Sequence, residues 1–168
     1  MTVRVMMVCL GNICRSPMAA AVLDNKAREK DLEISVSSSG TASWHAGEGP
    51  NHMSLRVWSD AGYEYQHVAQ QFKQQMFNEF DYILVMDESN YRNVIELSSQ
   101  PEDVAKVRFL RSFDPELAHI AIDSDEAVKL VVPDPWEQPR EEFEKVLAMI
   151  ERSVEGLLEE IQAKSTQT

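Results

Sequence analysis

The sequence predicts an α/β fold, a sandwich in which helices cover a mostly parallel sheet. Three observations carry that expectation. Val3 to Val8 (VRVMMV) is a nearly continuous apolar run of strand length, as expected where both faces of a parallel strand are covered. Further strand-like runs alternate with helical stretches down the chain, the pattern of a layered α/β domain. The C-terminal region carries Phe143, Val146, Leu147, Ile150, Val154, Leu157 and Ile161 at helical spacing, with Glu141, Glu142 and Glu144 near its start, where the helix dipole favours anions.

The first strand runs into the loop CLGNIC. Ser16 and Pro17 then read as an N-cap followed by proline at the first helical position, opening a helix to about Lys30. Glu33–Gly40 reads as the second strand, and TASWHAGEGPN after it has the glycine and proline density of a loop. HMSLRVWSDAG fits a short helix ending near Gly62. Phe80–Asp87 (FDYILVMD) is the third strand, followed by a helix over ESNYRNVIELSS, and Val107–Leu110 makes a short fourth. Asp87 and Glu88 read as capping residues with local partners. VVPDPWEQP is irregular, because three prolines within seven residues remove donors and fix the backbone. In such folds ligands sit at the carboxyl ends of the strands, where Cys9, Asp87 and the proline-rich loop would gather.

Length, charge and cysteine content narrow the function. The 168 residues suit one domain with a self-sufficient core, read here as residues 1–168. A formal net charge of −12 with scattered basic residues is the wrong electrostatics for gripping nucleic acid or an anionic membrane. No segment approaches the roughly 20 apolar residues of a membrane span, and the N-terminus lacks a signal-peptide pattern. Two cysteines do not make a disulfide scaffold, so a reducing cytoplasm is expected.

Both cysteines fall in VCLGNICRSP. Five residues separate Cys9 from Arg15, and the loop leads straight into a helix N-terminus. Inward-turned backbone N–H groups and the helix end together form an anion cradle. Gly11 and Asn12 are residue types that tolerate left-handed backbone, which such a curl needs. Arg15 can offer a planar fork to two phosphate oxygens. A thiol beside a helix N-terminus and a guanidinium is drawn toward thiolate, which at the floor of a phosphate cradle is an in-line nucleophile at phosphorus. A buried cysteine alone would be read as a small hydrophobe. A zinc site lacks ligand pairing, since His45, His52, His67 and His119 are scattered. A Walker loop is excluded, because no Gly-Lys-Ser/Thr follows Gly11.

VCLGNICRSP resembles the signature loop of the low-molecular-weight protein tyrosine phosphatases, and DYILVMDESN and VPDPW fall where that family has similar segments. The resemblance implies a three-layer sandwich with a four-stranded parallel sheet, a phosphate-binding loop after the first strand, a cysteinyl-phosphate intermediate, and neither cofactor nor metal. It makes Cys9 the nucleophile, Arg15 the phosphate ligand and Asp134 the general acid. Leu10, Gly11, Asn12, Ile13, Cys14 and Ser16 complete the phosphate-binding loop, with Asn12, Ser38 and His67 holding its shape and Ser16 hydrogen-bonding the nucleophile. The acid also follows from chemistry. A tyrosyl leaving group, with a pKa of about 10, needs a proton as its bond to phosphorus breaks, and Asp134 is held between Pro133 and Pro135. An acidic pH optimum is expected, because Cys9 must be ionised while Asp134 keeps its proton.

Trp44 and Trp136 would wall a slot for a flat ring. The substrate expected is a phosphotyrosine-containing protein; some relatives suggest a bacterial tyrosine kinase, and the protein is expected to be a monomer. Where many relatives carry tyrosines after the acid's Asp-Pro, this chain has Trp136, Glu137 and Gln138. Asn51 and Met53 stand where an acidic residue and an arginine are common, and Gln70 where an arginine is common. These departures bear on substrate preference. An arsenate reductase of the same fold would need two further cysteines, and protein-arginine phosphatases carry threonine at the position of Ile13. A phosphate-binding or phosphocarrier module would not need Asp134. Cys14 is a packed loop residue or a disulfide partner that spares oxidised Cys9.

Overall fold

The computed structural model describes residues 1–167. In chain order the elements are β1 (Val3–Cys9), α1 (Arg15–Glu29), β2 (Ile34–Gly40), α2 (His52–Asp60), α3 (Met76–Glu79), β3 (Tyr82–Val85), α4 (Glu88–Ile95), α5 (Pro101–Ala105), β4 (Val107–Phe109) and α6 (Arg140–Ser165). The strands form one four-stranded, all-parallel sheet in the order β2-β1-β3-β4. The chain winds outward from β1 to β2, then crosses to β3 and on to β4, so the direction of winding reverses between β1 and β3. That reversal opens a crevice at their carboxyl ends.

β1 and β3 are buried on both faces, as their unbroken apolar sequences require. On one face Val5, Met7 and Leu84 meet Met18, Val22, Trp58, Phe143, Ile150, Val154 and Leu157 from α1, α2 and α6. On the other, Met6, Val8, Ile83 and Val85 meet Phe72, Phe77, Val94 and Phe109. All seven periodic residues expected on the last helix are buried. Gly156 on the same helix sits where a Cβ would lie 1.8 Å from the Phe113 carbonyl oxygen, so the helix can approach this turn only without a side chain there.

The first helix begins earlier than its sequence suggests. Its N-cap is Cys14, without a side-chain cap bond, and Ser16 lies inside the first turn. The Ser16 hydroxyl is spent on Cys9 and on loop partners instead. The third strand is shorter than the apolar run Phe80–Asp87, and the short helices α3 and α5 have no counterpart in the sequence reading; each is too brief to show helical periodicity.

Candidate active site

The loop Leu10–Cys14 closes over the carboxyl end of β1. Asn12 is its pivot: fully buried, with φ 57° in the left-handed region that its side-chain amide helps it tolerate. The Asn12 Nδ2 group donates to Ser16 Oγ at 2.8 Å and to Ser38 Oγ at 2.9 Å, and Oδ1 accepts the Gln70 N–H at 2.9 Å. Its carbonyl lies 2.6 Å from His67 Nε2, while Ser38 Oγ lies 3.4 Å from His67 Nδ1. A carbonyl can only accept, so Nε2 carries the proton and Nδ1 is left to accept from Ser38. Burial pushes the His67 imidazole below its usual value, although the bond to the Asn12 carbonyl works the other way.

Gly11 does not use its backbone freedom, since its φ is not positive. Its lack of a side chain matters because a Cβ there would come 3.1 Å from His45 Cδ2. A more stringent glycine is Gly40, which pairs with Cys9 across β1 and β2. A Cβ on Gly40 would lie 2.7 Å from the Leu10 carbonyl oxygen and 3.0 Å from the Asn12 nitrogen, so the loop can fold down only over a glycine. The sequence reading marks Gly40 merely as the end of a strand.

Around Cys9 Sγ converge the Asn12 backbone N–H at 3.3 Å and Ser16 Oγ at 3.0 Å. Arg15, 2 % exposed, turns its guanidinium toward the same space. Its Nη1 donates to Asp87 Oδ2 at 2.7 Å and to the Val132 carbonyl at 2.9 Å, and Nη2 lies 3.7 Å from Asp134 Oδ2. Burial alone would lower the Arg15 pKa, but Cys9, Asp87 and Asp134 outweigh it, so the group is held more firmly protonated than usual. The strand ends thus gather Cys9, Asp87 and the proline-rich loop as expected. Asp87, however, pairs across the fold and not only locally, because the crevice between β1 and β3 brings its carboxylate onto Arg15.

The proline-rich loop is tied to the sheet by the Val132 N–H, which donates to the Met86 carbonyl at 2.7 Å. Two residues on, Asp134 is partly exposed, and its Oδ1 accepts the Trp136 N–H at 3.1 Å. The resulting cleft encloses about 140 Å3 and is lined by Cys9, Leu10, Gly11, Ile13, Cys14, Arg15, Trp44, His45, Asp134 and Trp136. Trp44 and Trp136 are 72 % and 51 % exposed at its mouth. His45 is an addition to the residues expected there.

The two cysteines have different surroundings. Burial pushes the Cys14 thiol up to about 12, with the charges of Asp134 and Cys9 adding to the effect and Arg15 opposing it. Cys14 is therefore a protonated, packed residue. Asn51, Met53 and Gln70, three of the positions read from the resemblance as departures, have structural posts. Asn51 caps α2, accepting the Met53 and Ser54 N–H groups, and its own N–H donates to the Ile13 carbonyl. Met53 packs against the core. Gln70 donates through Nε2 to the Ser38 carbonyl.

Comparison with known proteins agrees with this geometry. Residues 4–167 match the family described as low molecular weight phosphotyrosine protein phosphatase. A low molecular weight protein-tyrosine-phosphatase of Streptomyces coelicolor is 41% identical over 160 residues, covering 94% of this chain and 93% of that one. Among solved structures, a low molecular weight phosphotyrosine phosphatase of Vibrio cholerae superposes with a TM-score of 0.83 at 31% identity, over 96% of this chain and 98% of its own. A protein tyrosine phosphatase of Entamoeba histolytica superposes with a TM-score of 0.85 at 26% identity, over 98% and 99% of the two chains. With the sheet order, the loop and the cleft already in place, the chain belongs to the low-molecular-weight phosphotyrosine protein phosphatase family.

Proposed function

We propose that this protein-tyrosine phosphatase hydrolyses phosphotyrosine in proteins through a phosphoryl group carried on Cys9. One observation carries the reading: Cys9 Sγ, met by the Asn12 N–H and by Ser16 Oγ, opens into a cleft also lined by Arg15 and Asp134 and flanked by two tryptophans. The Cys9 thiolate attacks phosphorus in line with the tyrosyl oxygen. The S–P bond forms as the P–O bond breaks, and Asp134 gives its proton to the departing phenolate. Arg15 and the loop N–H groups hold the equatorial oxygens as charge redistributes. Water then attacks the phosphocysteine, Asp134 takes back a proton, and the thiolate and inorganic phosphate are released.

The ring of the substrate lies between Trp44 and Trp136. All of these groups come from one chain, so the reading takes residues 1–168 as one phosphatase domain acting as a monomer. No helix among the described residues is long and apolar enough to cross a membrane. The need for a free Cys9 thiol fits the cytoplasm, and a tyrosine-phosphorylated protein there, such as a bacterial tyrosine kinase, is the partner we assign.

Turnover of an aryl phosphate by the parent, Cys9→Ser and Asp134→Ala tests the reading. Cys9→Ser is expected at background, and Asp134→Ala at about 10²–10⁴-fold below the parent. Undiminished turnover by Cys9→Ser overturns the mechanism.

A further inference from the structure

Beside the phosphate cleft lies a second groove of about 530 Å3, bordered by His45, Glu48, Pro50, Asn51 and His52. Ile13 and His45 line both spaces, so the two lie side by side. The groove is also preformed. The Glu48 carbonyl accepts the Ala69 N–H and the Gly47 N–H donates to the Ala69 carbonyl, each at 2.8 Å. The Asn51 N–H donates to the Ile13 carbonyl at 2.9 Å, which fixes the far wall to the phosphate loop itself. A groove in fixed register with the cleft needs little ordering when a ligand arrives.

The groove holds one carboxylate, Glu48, and two imidazoles, His45 and His52. Glu48 Oε2 lies 3.0 Å from His45 Nδ1, and the Glu48 side chain is 58% exposed. Among the described residues, Arg15 is the one lysine or arginine lining either space, and it is buried against Asp87 and Asp134. The fixed charge left to face the flank of a bound peptide is the carboxylate of Glu48, with the His45 ring at its side, on a chain of net charge −12. Such a field favours a cationic neighbour and repels an anionic one.

We propose that this groove is a flanking subsite that selects phosphotyrosine peptides carrying lysine or arginine next to the phosphotyrosine, with Glu48 as the specificity-determining residue. The proposal rests on the phosphatase reading above. A peptide whose phosphotyrosine fills the cleft passes over Ile13 and His45, bringing its neighbouring side chain onto Glu48.

The test uses the full chain at low ionic strength with phenyl phosphate and two phosphotyrosine peptides of equal length, one flanked by lysine and one by glutamate. The parent is expected to favour the lysine-flanked peptide by about fivefold or more in kcat/KM, mainly through KM, and the preference should shrink as salt is added. Glu48→Gln should at least halve the ratio and Glu48→Lys should reverse it, while the remote, exposed Glu159→Gln should keep it. Equal kcat/KM for the two peptides, a ratio untouched in Glu48→Lys, or an equal response to Glu159→Gln each overturns the subsite. Turnover of phenyl phosphate without flank discrimination removes the subsite alone. Failure of the parent to turn over phenyl phosphate removes the phosphatase reading and the subsite with it.

Discussion

Asp87 and Arg15, 72 residues apart in the chain, meet at 2.7 Å between Oδ2 and Nη1. The same carboxylate caps α4 through Oδ1, which accepts the Asn90 N–H at 2.8 Å, while Asn90 Oδ1 accepts the Asp87 N–H in return. One side chain therefore fixes the start of a helix and aims the guanidinium that faces the phosphate cleft.

The two roles separate by substitution. Asp87→Asn keeps a capping oxygen but loses the charge, whereas Asp87→Ala loses both. Each is expected to lower kcat/KM on an aryl phosphate by about 10–100-fold, because a misplaced guanidinium no longer meets the transferring group. Only the cap distinguishes their stability, so the alanine variant should unfold about 1 kcal/mol more easily than the asparagine variant in urea. Parent kinetics in Asp87→Asn would dissolve the link between this pair and catalysis.

His67 makes stability depend on pH with a defined sign. Burial holds its folded pKa below the ordinary value of 6.5, so below that pH the unfolded chain takes up a proton that the folded chain refuses. The contribution is therefore fully present above 6.5 and is lost as pH falls through the folded value. Urea midpoints measured between pH 7.5 and pH 5 should drop more steeply for the parent than for His67→Gln. A parallel fall in the two proteins would mean that His67 stays as easily protonated in the fold as in the unfolded chain.

Gly40 and Gly156 mark two close approaches with different consequences. Gly156→Ala drives a methyl into the Phe113 carbonyl and is expected to destabilise by about 1–3 kcal/mol. At an open helix position the same exchange stabilises by roughly 1 kcal/mol. Gly40→Ala lifts the backbone of Leu10 and Asn12 instead, so its loss should appear as a fall in kcat exceeding the fall in urea midpoint. Urea melts and steady-state kinetics on both variants check this, and full activity in Gly40→Ala would mean that the loop has room to move.

Legibility in the sequence followed the range of the interaction. β1 and α6 could be read because their signal is local: an apolar run in one, residues such as Ile150 and Val154 on one stripe in the other. The phosphate loop was legible because Cys9, Arg15 and the helix start all lie within one short segment. Ser16 misled as an N-cap because Ser-Pro suits a helix start equally well, whereas its hydroxyl belongs to Cys9 and Asn12. Asp87 could be placed at the strand ends, yet its bond to Arg15 depends on β1 and β3 being neighbours, a fact of topology. Gly40 was opaque for the same reason, since what it must avoid is backbone from another part of the chain. Asn51, Met53 and Gln70 invited a reading in terms of substrate, and their partners are a helix cap, the core and a strand carbonyl.

The central claim is that the phosphoryl group passes through Cys9. In Asp134→Ala, p-nitrophenyl phosphate supplies a leaving group that departs without an acid, while the water that clears the phosphocysteine has lost its base. Rapid quenching of that variant and peptide mass analysis is therefore expected to find one phosphoryl group on the loop, carried by Cys9 and not by Cys14. A loop free of phosphoryl groups while p-nitrophenol is still released, or a group located on Cys14, would contradict the account.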